Sequence, residues 1–311
     1  VEKEDDALDV TARLNFRAGR HRADGTRGVV EVRLLAGQSM RPSVIWRTFQ
    51  MLADTTPSWT RIRDARREEA RSGLSKAAFF DKYGFVLLEA PTQMTETNWH
   101  HQATTTTKYA AEAEAVLRTL LSLADDTTVA VAGDGAVVRG GPKGQGYARG
   151  VHNDMGTTVD EYNCMLEALA IEARLPHAPQ QRYRVLNLWR PILPMQRPVV
   201  DDALALCAKF SVAEADVCRT DLYGVTPTGR PQAQVSLAPN PAQQWFYYPS
   251  MTTNEVLVFS QFDTGRPNKT TTSADSAWSF PVVAHSSFSV PGAKPTEPRV
   301  SAELRLTVTG D

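Results

Sequence analysis

Gly150-Val151-His152-Asn153-Asp154 stands between two segments that read as β-structure, and the fold turns on how it is read. In an extended strand the side chains of residues i and i+2 leave the backbone on the same side. His152 and Asp154 therefore project an imidazole and a carboxylate side by side into whatever that face encloses. These are two of the three groups of a 2-His-1-carboxylate facial triad, which holds Fe(II) on one side and leaves the opposite positions open to a co-substrate and O2. A second imidazole must then arrive from further along the chain, and His285, in Val283-Ala284-His285-Ser286-Ser287-Phe288, is the candidate. Beyond it, Arg299-Val300-Ser301 again places two polar side chains on one face. A guanidinium fork beside a hydroxyl suits the terminal carboxylate of a dicarboxylic acid such as 2-oxoglutarate. One His-x-Asp is a weak signal, since six histidines produce it by chance. All four elements in this order are far more specific.

Working outward, Asp125 to Gly150 alternates short Val/Ala strands with glycine-rich turns. Gly140-Gly141-Pro142-Lys143-Gly144-Gln145-Gly146 lacks the Gly-Lys-Ser/Thr order of a phosphate loop and no helix follows it, so it reads as a flexible loop near the site. Tyr183 to Pro191 reads as a strand with Val185, Asn187 and Trp189 on one face and Leu186, Leu188 and Arg190 on the other. Gln232 to Leu237, Gln244 to Tyr248 and Glu255 to Asp263 read as further strands, and Val300 to Val308 as a half-buried closing strand carrying Ser301, Glu303 and Arg305. Helical patterns mark Arg61 to Lys82 and Lys108 to Leu123, the latter through Ala111, Ala115, Leu117, Leu120 and Leu121. A third covers Thr158 to Ala173, where Thr158 and Glu161 make a capping box. Residues 264–279, rich in Thr and Ser, read as a loop or lid. Many short strands with flanking helices predict a mainly β fold, an antiparallel double-stranded β-helix or jelly roll of the cupin type. Residues 1–35 read as an N-terminal extension, whose alternation at Val29 to Leu34 adds an edge strand, and residues 36–311 as a single domain.

Composition bounds the function. Lys and Arg number 34 against 35 Asp and Glu, a net charge of −1 that argues against a polyanionic partner. The basic patch from Arg61 to Arg71 interleaves Glu68 and Glu69, so it reads as a solvated helix face rather than a nucleic-acid surface. No apolar run approaches membrane-spanning length and no secretory signal is visible. Cys164, Cys207 and Cys218 have no CxxC spacing, so reduced thiols and a cytoplasmic location are the expectation. The partner expected is a small molecule, with neither nucleic acid nor membrane, for a monomer or homodimer.

Tyr147 to Asp154, Asn187-Leu188-Trp189-Arg190-Pro191, Trp245 to Asp263, His285 to Phe288 and Arg299-Val300-Ser301 together resemble one group. It is the gibberellin-desaturase-like and cephamycin-methoxylation-component-like group of fungal and bacterial non-haem iron oxygenases. The resemblance runs from about Phe80 to Val308. It implies Fe(II) on His152, Asp154 and His285, 2-oxoglutarate on Arg299 with Ser301, and O2 as oxidant. The chemistry implied is hydrogen abstraction from an unactivated C–H bond of an amino acid or small natural product. Its outcome is hydroxylation, desaturation or oxidative ring closure such as aziridine formation, in secondary metabolism. Tyr147, Arg149, Asn187, Arg190 and Gln261 are candidates for gripping a polar or carboxylate-bearing substrate. Two competing expectations are a metal-binding cupin-type isomerase or binding protein that makes no use of 2-oxoglutarate, and a scaffold without catalysis.

Overall fold

A computed structural model of the chain describes residues 9–17, 30–33, 55–133, 135–141, 144, 146–156, 160–161, 163–164, 182–223, 228–264 and 282–310. Its strands, in chain order, are β1 (Val10–Arg17), β2 (Val30–Arg33), β3 (Thr55–Asp64), β4 (Phe85–Glu89), β5 (Thr128–Val131), β6 (Val137–Arg139) and β7 (Tyr183–Pro191). They continue with β8 (Ala203–Cys207), β9 (Val217–Tyr223), β10 (Gln232–Leu237), β11 (Trp245–Tyr247), β12 (Glu255–Asp263), β13 (His285–Phe288) and β14 (Ser301–Thr309). One sheet runs β4-β12-β7-β14-β5, with β6 also pairing with β14. A second runs β1-β3-β11-β8-β13, and a third β10-β9-β2. The first two, largely antiparallel, face each other across a closed interior and make a jelly roll.

The centre of the first sheet explains why the chain closes on itself. Every residue of β7 is buried, because both of its faces are covered. Trp189, Asn187 and Val185 look across the interior, opposite Glu303, Arg305 and Thr307 of β14 in register. Leu186 and Leu188, paired with Leu306 and Leu304, lie on the outer face and belong to the same apolar core as Leu117 and Leu120. Those two come from a helix, α3 (Ala110–Leu121), preceded by a π-helical turn at Thr105–Tyr109. Its buried face is Ala113, Leu117 and Leu120; Ala111 and Ala115, expected there, are exposed.

The predicted helix from Arg61 to Lys82 is corrected. Arg61 to Asp64 finish β3, where Ile62 is fully buried and pairs with Val10 and Trp245. The helix starts only at α1 (Ala65–Ser72), where the Asp64 carboxylate accepts the N–H groups of Arg66 and Arg67 at 2.8 and 3.4 Å. Gly73 ends it, and Ser75 caps a separate α2 (Lys76–Tyr83). The N-terminal segment supplies two strands rather than one. β1 forms an edge of the second sheet and buries Ala12, Leu14 and Phe16, the last packed edge-to-face on Trp245 at 5.7 Å. β2 lies beside β9. The helix expected over Thr158 to Ala173 lies mostly outside the described residues, as does the loop expected over 264–279. No described helix is long and apolar enough to cross a membrane.

Candidate metal centre

Residues 150–153 do not form a regular strand. They tie three strands together by single bridges. Val151 donates its N–H to Asn15 of β1 at 2.8 Å, and Asn153 to Val235 of β10 at 2.7 Å. His152 and His285 of β13 exchange backbone hydrogen bonds of 3.1 and 2.8 Å. That exchange sets the two imidazoles beside each other, ring centres 4.5 Å apart. Asp154, two residues on, brings Oδ1 to 3.4 Å from His152 Nε2. The ligand atoms of all three buried side chains lie within 4.8 Å of one another.

The second sphere fixes which atoms face the centre. His152 Nδ1 lies 2.6 Å from the Gly150 carbonyl and His285 Nδ1 3.3 Å from the Val283 carbonyl. A carbonyl only accepts, so each Nδ1 carries the proton and each Nε2 offers a lone pair. Asp154 Oδ2 accepts from Arg305 at 2.6 Å and from Gln261 at 2.9 Å, which leaves Oδ1 toward the imidazoles. Burial alone would raise the Asp154 carboxyl, but Arg305 and the two histidines outweigh it and hold it well below the usual carboxylate range. Burial, reinforced by neighbouring His152, lowers His285 to about 4, so it is neutral at pH 7. Two imidazole nitrogens and one carboxylate oxygen on one side of a point fit a divalent first-row metal.

The adjoining end of the site carries a buried guanidinium. Arg299 is buried, its guanidinium carbon 4.2 Å from the Tyr147 ring centre and 5.3 Å from that of Trp189. Nη1 donates to the Asp202 carbonyl and, at 3.5 Å, to Ser287 Oγ. The Asp202 carboxylate is taken by Arg149 instead, and no described carboxylate forms an ion pair with Arg299. Burial lowers Arg299 to about 10, which still leaves it cationic at neutral pH. Its Nε and the buried Ser301 Oγ have no hydrogen-bond partner. A buried cation with no carboxylate in contact is costly, and a ligand carboxylate would complete it. The residues present therefore fit a dicarboxylate co-substrate.

Of the residues proposed to grip a substrate, the structure brings some here and not others. Tyr147 donates its hydroxyl to the Arg299 carbonyl at 2.6 Å, and Gln261 is engaged with Asp154. Asn187 is fully buried on the inner face, between Phe259 and Arg305 in register, with Oδ1 and Nδ2 both unpartnered. Arg190 lies on the outer face and donates to the carbonyls of Ala90 and Thr253. Arg149 is exposed and engages Ser289 and Asp202. Sequence reasoning missed Arg305 and Arg139. Glu303 links them, 3.1 Å from Arg139 and 3.3 Å from Arg305; burial would raise this carboxyl, yet the two guanidinia lower it. The signal was present in Arg299, Ser301, Glu303, Arg305 and Thr307, a polar row of period two.

The chain is similar to known proteins along much of its length. A family model described as an oxidoreductase/YMDC permease-like domain (YDMC) matches residues 38–309. The chain is 31% identical over 128 residues to the alpha-ketoglutarate-dependent dioxygenase tstK of Talaromyces stipitatus, covering 41% of each chain. It is 29% identical over 130 residues to the alpha-ketoglutarate-dependent dioxygenase phiK of a fungal species, covering 42% of each. The matches thus span well under half of these curated relatives. The solved iron and alpha-ketoglutarate-dependent endoperoxidase NvfI superimposes with a TM-score of 0.66 at 20% identity, over 97% of this chain and 98% of that one, and has the same fold.

Proposed function

The chain belongs to the oxidoreductase/YMDC permease-like family, and we propose that it is an Fe(II)- and 2-oxoglutarate-dependent oxygenase acting on a small molecule of secondary metabolism. The observation that carries this reading is the convergence of His152, Asp154 and His285, with ligand atoms within 4.8 Å. The partial matches to two alpha-ketoglutarate-dependent dioxygenases support it. Fe(II), 2-oxoglutarate and O2 would supply oxidation of an unactivated C–H bond, ending in hydroxylation, desaturation or ring closure.

The chain's own residues supply geometry and a dry, charged interior. His152 and His285 hold the metal through Nε2 and Asp154 through Oδ1. Arg305 and Gln261 keep the Asp154 carboxylate ionised and aimed. Arg299 with Ser301 receives the terminal carboxylate of 2-oxoglutarate. Trp189 and Phe259, the latter 4.9 Å from the His285 ring, help to exclude water. Asn187 offers a donor and an acceptor to an amino acid or small natural product. Residues 36–311 form the catalytic domain in this reading, and β1 braces the His152 segment from the extension before it. The protein works as a monomer or homodimer.

Anaerobic equilibrium dialysis tests the assignment. Wild type and Arg299→Ala should each retain one Fe(II) per chain, and His152→Ala none. Radiolabelled 2-oxoglutarate should be retained only when both iron and Arg299 are present. Wild-type protein that holds no iron would overturn the proposal.

A further inference from the structure

We propose that Tyr147 is a positioning residue that prepares Arg299 to receive a carboxylate in the plane of its guanidinium, and so sets the affinity of the co-substrate site. The inference rests on the 2-oxoglutarate reading of Arg299. Tyr147 is committed to Arg299 at both ends: its ring lies against the guanidinium at 4.2 Å, and its hydroxyl donates to the backbone carbonyl of the same residue at 2.6 Å. It has no hydroxyl proton left for a substrate.

The approach is built into the backbone. Gly140 has φ +76, and a Cβ there would meet the Arg299 carbonyl oxygen at 2.0 Å and the Tyr147 hydroxyl at 2.8 Å. Only glycine permits this contact. The remaining partners of Arg299 divide its donors. Nη1 is occupied by the Asp202 carbonyl and Ser287, and the Tyr147 ring covers the guanidinium. Bidentate approach is left to the edge that carries Nε, the buried donor without a partner. A carboxylate seated there completes the fork, while the ring holds the fork's plane and keeps water off it.

The test is calorimetric titration of Fe(II)-loaded protein, without oxygen, with two probes. One is 2-oxoglutarate; the other is 2-oxobutyrate, which has the metal-chelating 2-oxo acid but no distal carboxylate. Tyr147→Leu should weaken 2-oxoglutarate roughly 30-fold, the scale of a desolvated cation–π contact, and leave 2-oxobutyrate unchanged. Tyr147→Phe, which keeps the ring, should stay within about 3-fold of wild type. Gly140→Ala should act in the same direction as Tyr147→Leu without altering the ring. An unchanged 2-oxoglutarate Kd in Tyr147→Leu, or equal weakening of both probes, overturns the positioning role. Failure of the wild type to bind 2-oxoglutarate would instead remove the co-substrate reading, and this inference with it.

Discussion

Asp154 shows how much of this site is decided one atom at a time. Its Oδ2 carries the Arg305 and Gln261 donors, so only Oδ1 remains for a metal, and the carboxylate cannot rotate without breaking two hydrogen bonds. Partners of this kind typically tune metal affinity 10- to 100-fold. Arg305→Met should therefore raise the Fe(II) dissociation constant by roughly that factor while circular dichroism shows a retained fold. An unchanged constant would mean that Arg305 only balances charge. A second residue-scale expectation concerns the thiols, all three buried and none in a disulfide. Burial pushes Cys207 up to about 12, so at pH 8 it is protonated and enclosed. A thiol reagent at that pH should label none of the three in native protein and all of them in denaturant. Because the folded value is raised, this group's contribution to stability is complete below about pH 9 and is lost as pH rises toward 12. Cys207→Ala should flatten that alkaline decline in a urea titration.

Elements place these atoms, and Gly84 is where three of them meet. It closes α2 at φ +87, its carbonyl accepts the Ser260 N–H of β12 at 2.9 Å, and a Cβ would lie 2.6 Å from Val283 Cγ2, just before β13. Gly84→Ala should cost about 1–3 kcal/mol, through the left-handed backbone and the overlap. A denaturant midpoint equal to wild type would contradict that packing. The strands β7, β10 and β12 were legible because their apolar runs are bounded by turn residues and each carries its own period. Arg61 to Asp64 misled because arginine- and glutamate-rich sequence looks helical, whereas the burial of Ile62 depends on neighbours remote in sequence. β14 was read as a half-buried strand with Ser301 turned to the site; both of its faces are in fact covered, and a chain's alternation does not say how much lies over the second face. His152 and Asp154 were legible as a pair through their spacing. The Arg305 contact was not, since it joins residues 151 apart and follows from sheet register.

At the scale of the molecule, two sheets meet around a buried cluster of titratable side chains that includes His152, Asp154, His285, Arg299 and Glu303. Three potential metal ligands pre-arranged only in the folded chain make metal binding a source of folding stability. Fe(II) at 100 times its dissociation constant should stabilise wild type by about 2.7 kcal/mol, a rise in Tm that a chelator reverses and His152→Ala abolishes. Equal Tm with and without metal would favour a scaffold without catalysis. The most direct test of the central claim is optical. Fe(II) and then 2-oxoglutarate are added to the metal-free protein without oxygen, and the visible metal-to-ligand charge-transfer band of a chelated 2-oxo acid is followed. The band should appear in wild type, be absent in His152→Ala, and need far more 2-oxoglutarate in Arg299→Ala. Iron binding with no band at any 2-oxoglutarate concentration would contradict the account and leave a metal-binding jelly roll that does not use this co-substrate.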